Sequence, residues 1–225
     1  MNFLALVQRL KIECGVSGSA PMTTTSQIAE IDRLVKWVNT AWMDIQSESS
    51  DWDWMRGSVS FPTVASKATY TPTEIGVTDF GYWLGNTFRN YDTAAGYASE
   101  ITMDYIDYET WRNTYQLANL RTATSRPLQI TITPSKALGL GMVPVAGYTV
   151  VGDYQKIPSE MVNDSDIPAI PAQFHMAIVY RAMMSYGSYE AASEVYQRGE
   201  IEFRKLMRRL RSDQLPEIMF CGSLA

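Results

Sequence analysis

The side chains that could carry covalent or metal chemistry in this chain are few, and their spacing does not favour it. The single histidine, His175, sits in "AQFHMAIVYRAMMSYG", a stretch that is apolar almost all round. A nucleophilic triad needs a histidine in hydrogen-bond reach of a serine or cysteine and of a carboxylate. A zinc site needs three or four nitrogen or sulfur donors. Neither cysteine, Cys14 or Cys221, is near His175 in sequence, so His175 is expected as a satisfied core or interface histidine. "GLG" at 139–141 lacks the further glycine and the helix start of a dinucleotide fingerprint. "NDSDIP" at 163–168 resembles half of a calcium loop, without its central glycine and closing glutamate, and reads as a polar turn. Asp51, Asp53, Asp104, Asp107 and Glu109 show no pairing that would set an acid against a base. No catalytic, cofactor-binding or metal-binding residue is assigned, no cofactor is expected, and the chain does not read as an enzyme.

Two features could instead bind. "SDWDWMRGSVSF", residues 50–61, places Trp52 and Trp54 between aspartates. Exposed, they could join Trp83 as a carbohydrate platform. Buried, they would fill the corner where a long helix hands over to a β-rich segment. The junction is the expected reading, because an indole buries a large area and its N–H can be satisfied at such an edge. The second feature is Arg204, Arg208 and Arg211, which share a helical face. For a nucleic-acid site the cluster is short and has little aromatic interleaving. It is either a solvated helix end or a contact to an acidic protein neighbour, including another subunit.

The elements that must position these residues follow from periodicity. Phe3, Leu6, Val7, Leu10 and Cys14 fall at helical spacing and predict a helix over 2–14. Thr24 and Gln27 form a capping-box pattern that predicts a long helix over 24–52, with Ile28, Ile31, Leu34, Val35, Val38, Ala41, Trp42 and Ile45 as its stripe. From Met55 the period changes to two. "SVSF" is a strand with "KATYTP" as its hairpin partner, and "NTFRNYD", "EITMDYI", "QITIT", "ALGLGMVP" and "YTVVGDYQ" alternate likewise. One helix near 107–119, capped by Asp107, interrupts them. After Pro158 the helical period returns. A helix over 171–186 ends at Gly187, and Ser188 caps the last, 188–212. That helix has its acids early and its Arg and Lys late, as the macrodipole favours. Pro216 then forbids continuation.

These elements predict an α+β fold: a small helical bundle from N- and C-terminal helices (1–54 and 159–213), a β-rich insert (55–158) and an extended C-terminal arm (214–225). The chain has 225 residues and is 46% hydrophobic, enough for one core or for a domain with a sizeable insert. Its net charge of -5 argues against a sequence-wide DNA-binding surface. Two scattered cysteines are no disulfide framework. The N-terminal apolar run is short and interrupted by charge, so no signal peptide is expected. No stretch approaches the roughly 20 apolar residues of a membrane span.

"IPAQFHMAIVYRAMMSYGSYEAASEVYQRGEIEFRKLMRRLRSDQLPE" and "LVKWVNTAWMDIQSESSDWDWM", the latter followed by an alternating strand, resemble head–tail adaptor proteins of tailed bacteriophages, also called connector or head-completion proteins. The likeness runs through the chain and is weakest at 63–100. The element order is similar to that of tail tubular protein A of short-tailed phages. The resemblance implies a virion structural protein at the head–tail junction, made in the host cytoplasm. It implies a homo-oligomeric ring, typically of twelve subunits, beneath the portal protein. The ring would join the head to a tail, head-closure or nozzle protein and continue the DNA channel, without specific DNA binding and without a membrane. Leu215, Ile218, Phe220 and Leu224 form an apolar stretch that must fold back on the bundle or enter a groove on a partner. In the resembling adaptors the C-terminal arm commonly reaches into the portal, which makes these four the expected portal contacts.

Overall fold

The computed structural model describes residues 1–145 and 147–215. It is an α+β fold with helices at both ends of the chain, as expected. Among the described residues two compact units can be distinguished: Met1–Met55 together with 158–215, and Arg56–Ile157. The α-helices of the described residues are α1 (Phe3–Glu13), α2 (Ala29–Ser47), α3 (Tyr108–Tyr115), α4 (His175–Tyr189) and α5 (Ser193–Gln214). All but α3 belong to the first unit.

In that helical unit α4 is the central element. Ala177, Ile178, Val179, Ala182 and Met183 are buried among Leu6, Leu10, Leu34, Val38 and Leu210. Helix α1 begins where Asn2 accepts from Ala5 N (2.9 Å) and buries Phe3, Leu6, Val7 and Leu10, the stripe the spacing predicts.

Helix α2 corrects the expected start at Thr24. It begins at Ala29 with no side-chain cap, and Ile28 is 82% exposed. Thr24 gives both its N–H and its hydroxyl to Asp164 Oδ1 (2.6 and 2.5 Å), and Gln27 donates to Thr25 O. A carboxylate is a stronger acceptor than the groups of a capping box, so the distant aspartate takes the donors. The helix also ends early, at Ser47, because "SESSD" offers the backbone local partners, such as the bond from Asp51 N to Ser49 Oγ.

Gly187 is not the predicted stop, and Ser188 is not a cap. Both lie inside α4. A Cβ on Gly187 would stand 2.7 Å from Tyr196 N and 2.9 Å from Tyr196 Cα, and one on Gly199 would stand 2.9 Å from Tyr180 O. The two glycines let the backbones of α4 and α5 approach closely. The reversal falls instead near Ala191, with φ 54°, and α5 starts at Ser193.

The β-rich unit holds two sheets among its described residues. In the first, β9 (Tyr148–Lys156) is central. It pairs along one edge with β1 (Arg56–Pro62) and along the other with β3 (Phe80–Trp83) and β4 (Arg89–Asp92), and β4 pairs with β5 (Ile101–Thr102). The second runs β2 (Thr69–Tyr70), β8 (Leu138–Leu140), β7 (Gln129–Ile132), β6 (Asp104–Tyr105), with only β6–β7 parallel. Ile130 and Ile132 are thus in a strand. The expected hairpin between β1 and "KATYTP" does not form. All seven residues of β1 pair with β9, from Arg56↔Gln155 to Pro62↔Thr149. β2 is two residues long, stops before Pro72, and pairs with β8. Helix α3 is shorter than expected, but Asp107 does cap it, accepting from Thr110 N (2.9 Å). It docks through buried Trp111, whose indole donates to Leu140 O (2.8 Å).

Candidate functional site

Helix α5 lines an open groove of the helical unit. With period 3.6, Glu200, Arg204, Arg208 and Arg211 fall on one face. They line this groove, of about 610 Å³, together with Glu48, Met184, Phe203 and Met207. The floor is apolar and the rim is charged. Arg204 pairs with Glu200 at 2.6 Å, and Arg211 pairs with Glu48 at the C-cap of α2. Among the described residues Arg208 donates to Arg204 O alone, at 3.4 Å. Beside the groove Arg181 pairs with Asp44 at 2.8 Å and lies over the Phe203 ring.

The three arginines singled out by spacing are therefore brought together, but two already have acidic partners within the chain. Sequence reasoning missed Glu48, Met184 and Met207. Glu48 carries no local signal, since its partner is 163 residues away. The groove holds no nucleophile beside a base. Its chemistry is that of a protein contact, with apolar burial at the centre and ion pairs at the rim.

His175 is a satisfied core histidine. Its Nε2 meets Ile170 O at 3.1 Å and its Nδ1 meets the Met1 amino group. Burial, and then the Met1 ammonium, hold its pKa below the ordinary histidine value. The thiol of Cys14 is pushed up to about 12, chiefly by burial, which keeps it protonated and inert. Cys221 lies outside the described residues.

The "NDSDIP" carboxylates are occupied as acceptors. Asp164 takes Thr24, and Asp166 takes Val162 N and Asn163 N; these bonds hold both pKa values below the usual range. The carbonyls of the same turn accept the first N–H groups of α1, from Phe3 and Leu4. No cluster of three or more His, Cys, Asp or Glu suited to a metal occurs among the described residues.

The sugar platform is overturned. Trp52 is fully buried and donates to Ile45 O at 3.0 Å. Trp54 stacks on Trp42 and Trp52. Trp83 is buried and donates to Lys136 O at 2.8 Å. With Trp52 and Trp83 buried, and half-buried Trp54 stacked on two other rings, the three do not offer exposed faces for a saccharide. Of the arm residues, Leu215 packs partly buried against the helical core; Ile218, Phe220 and Leu224 lie outside the described residues.

Sequence reasoning also missed Lys11. It is buried, and its ammonium donates to Val16 O, Ser17 O and Gly18 O at 2.7, 2.5 and 3.0 Å. A lysine on the polar edge of an amphipathic stripe gives no hint of this. Among the described residues no helix is long and apolar enough to cross a membrane.

No curated protein matches the chain. The family model described as SU10 adaptor protein matches residues 1–218. The chain belongs to that family, a family of phage head–tail adaptors.

Proposed function

We propose, from that membership, that this chain is the head-to-tail adaptor of a phage virion, forming a ring beneath the portal that joins the DNA-filled head to the tail and continues the DNA channel. The observation that carries the reading is a family match over residues 1–218, through both units rather than one. The partners are the portal protein on one side and a tail, head-closure or nozzle protein on the other. Neighbouring copies, twelve in the ring the resemblance implies, meet side by side. The Arg204, Arg208 and Arg211 face of α5 is one of their contacts. A net charge of -5 supports DNA sliding past without being held, since retention of phosphates needs a basic wall. The role is structural and calls for no catalytic residue.

The C-terminal arm is the proposed portal contact, through Leu215, Ile218, Phe220 and Leu224. A segment that orders on binding can cover a long surface, at an entropic cost that disfavours premature docking. Truncation after Leu215, which leaves α5 and its packed end in place, tests it. The shortened protein should keep nearly unchanged thermal stability yet fail to bind portal-bearing heads. Loss of stability in the isolated protein would assign the arm to its own bundle, where Leu215 already packs, and would remove it as the portal contact.

A further inference from the structure

The β-rich unit is electrically neutral, with eight lysines and arginines against eight aspartates and glutamates. Its charges are nevertheless segregated along the chain, although Arg126 reaches back to Asn90 O (2.9 Å) and Ser99 O (2.5 Å). From Asp92 to Glu109 the chain has five carboxylates and no lysine or arginine; from Arg112 to Lys136 it has four lysines and arginines and no carboxylate. The ion pairs of this unit among the described residues are Arg56–Asp153, Lys67–Glu74 and Lys156–Asp79. None uses a member of either run.

Helix α3 separates the two runs. At eight residues it is about 12 Å long. Asp107 and Glu109 sit at its N-terminal end. Arg112 is in its last turn, and Arg121 is held at the same end by donating to Gln116 O (2.8 Å). Alone, this order would only complement the helix dipole.

The apolar side chains between the charges need another explanation. Beyond α3 comes a short 3-10 turn, Ala118–Thr122, in which Leu120 is 49% exposed; its N-cap Leu117 is 63% exposed, and Arg112 and Arg121 lie on either side of them in the chain. At the other end Tyr105, 43% exposed, stands between exposed Asp104 and Glu109. Each pole thus has an apolar centre and a rim of one sign, the anatomy of a protein interface. Leucines without an exposed aromatic among the arginines do not suit nucleic acid, where bases stack on rings.

We propose that the knuckle at Leu117–Arg121 is a docking surface for a second copy of this chain, received by the pole of Asp104, Tyr105 and Glu109 on that copy. Opposite poles on one unit meet head to tail, and a heterologous contact of this kind closes a ring when its rotation closes. The complementary charge steers encounter and sets register. The inference deepens the ring reading above and rests on it.

The test is charge reversal with rescue by mixing. Self-association of the full chain is measured by sedimentation velocity at low and high salt. Wild type should associate, and less so at high salt. Arg112→Glu with Arg121→Glu makes both poles acidic, and Asp104→Lys with Glu109→Lys makes both basic. Asp107 is left alone because it caps α3. Each variant alone should associate at least about tenfold more weakly, and an equal mixture should recover association. Leu117→Ser with Leu120→Ser, exposed positions outside either core, should weaken association; the Arg112→Glu, Arg121→Glu variant should not rescue it, whereas the Asp104→Lys, Glu109→Lys variant, whose knuckle is intact, should restore one contact per pair and give heterodimers. The proposal is overturned if wild type does not self-associate at low salt, if the reversed variants associate like wild type, or if the mixture does not recover. Location in the virion separates this from the adaptor reading. A ring at the head–tail junction built normally by the reversed variants sinks the docking surface alone. Reversal and rescue in a chain found elsewhere in the virion sink the adaptor reading alone.

Discussion

Replacing Gly187 by alanine tests how the helical unit is assembled. Gly→Ala at an exposed helix position stabilises by about 0.8–1 kcal/mol, because alanine loses less backbone entropy. Here the added Cβ would stand 2.7 Å from Tyr196 N and 2.9 Å from Tyr196 Cα. Those atoms are backbone of α5, so no rotamer change relieves the contact. The helices must part by several tenths of an ångström, loosening the packing of Met183, Met207 and Leu210. Overpacking of this kind costs about 1–3 kcal/mol, and a clash with two backbone atoms belongs in the upper part of that range. The expected net loss is about 1–2 kcal/mol, which for a unit of this size lowers Tm by about 3–10 °C. Ser188→Ala is the control. Ser188 is exposed inside α4, and its replacement should be neutral or stabilising by a few tenths of a kcal/mol. If Gly187 ended the helix and Ser188 capped the next, Ser188→Ala would instead cost about 1 kcal/mol. Thermal and urea unfolding followed by far-UV circular dichroism give both numbers. A Gly187→Ala protein as stable as wild type, beside a destabilised Ser188→Ala protein, refutes the close-packed α4–α5 reading.

Trp52→Ala should cost roughly 3–5 kcal/mol by urea unfolding, as for a fully buried large aromatic; a loss below about 1 kcal/mol would mean the ring is not part of the core. Lys11→Met leaves the three loop carbonyls of Val16, Ser17 and Gly18 without their shared donor and should cost about 2–4 kcal/mol, with faster proteolysis in that loop; unchanged stability and proteolysis would contradict the bonding. The pKa of His175 is lowered in the folded state, so as pH falls the unfolded chain takes up the proton first. Its contribution to stability is therefore present above about pH 6.5 and is lost as pH falls from there toward the folded pKa. The fall in Tm between about pH 7.5 and 5 should be shallower in His175→Gln than in wild type, and equal slopes would count against it.

Patterns that depend on neighbours in sequence were legible. The alternation of "QITIT" places Ile130 in a strand and in the core, and Asp107 three residues before Thr110 is a cap that needs only local geometry. His175 in an apolar stretch is satisfied inside the bundle, as its surroundings suggest. What could not be read depends on partners far along the chain. The capping box at Thr24 fails because Asp164, 140 residues away, competes for the same donors. Gly187 resembles a helix stop because a glycine there reads alike whether it ends a helix or admits another helix's backbone. β1 and β9 are separated by most of the insert, so a nearby apolar run looked like the partner. The groove on α5 was half legible. The helical period groups its arginines, while Glu48 reaches it only through the packing of α2 against the bundle.

Cryo-electron microscopy of the mature virion that carries this chain tests its place as a head–tail adaptor. The helical unit and the two-sheet unit should fit a closed ring of density between portal and tail, around an open axial channel. Density for this fold at the tail tip, on the capsid shell or nowhere in the virion would contradict it.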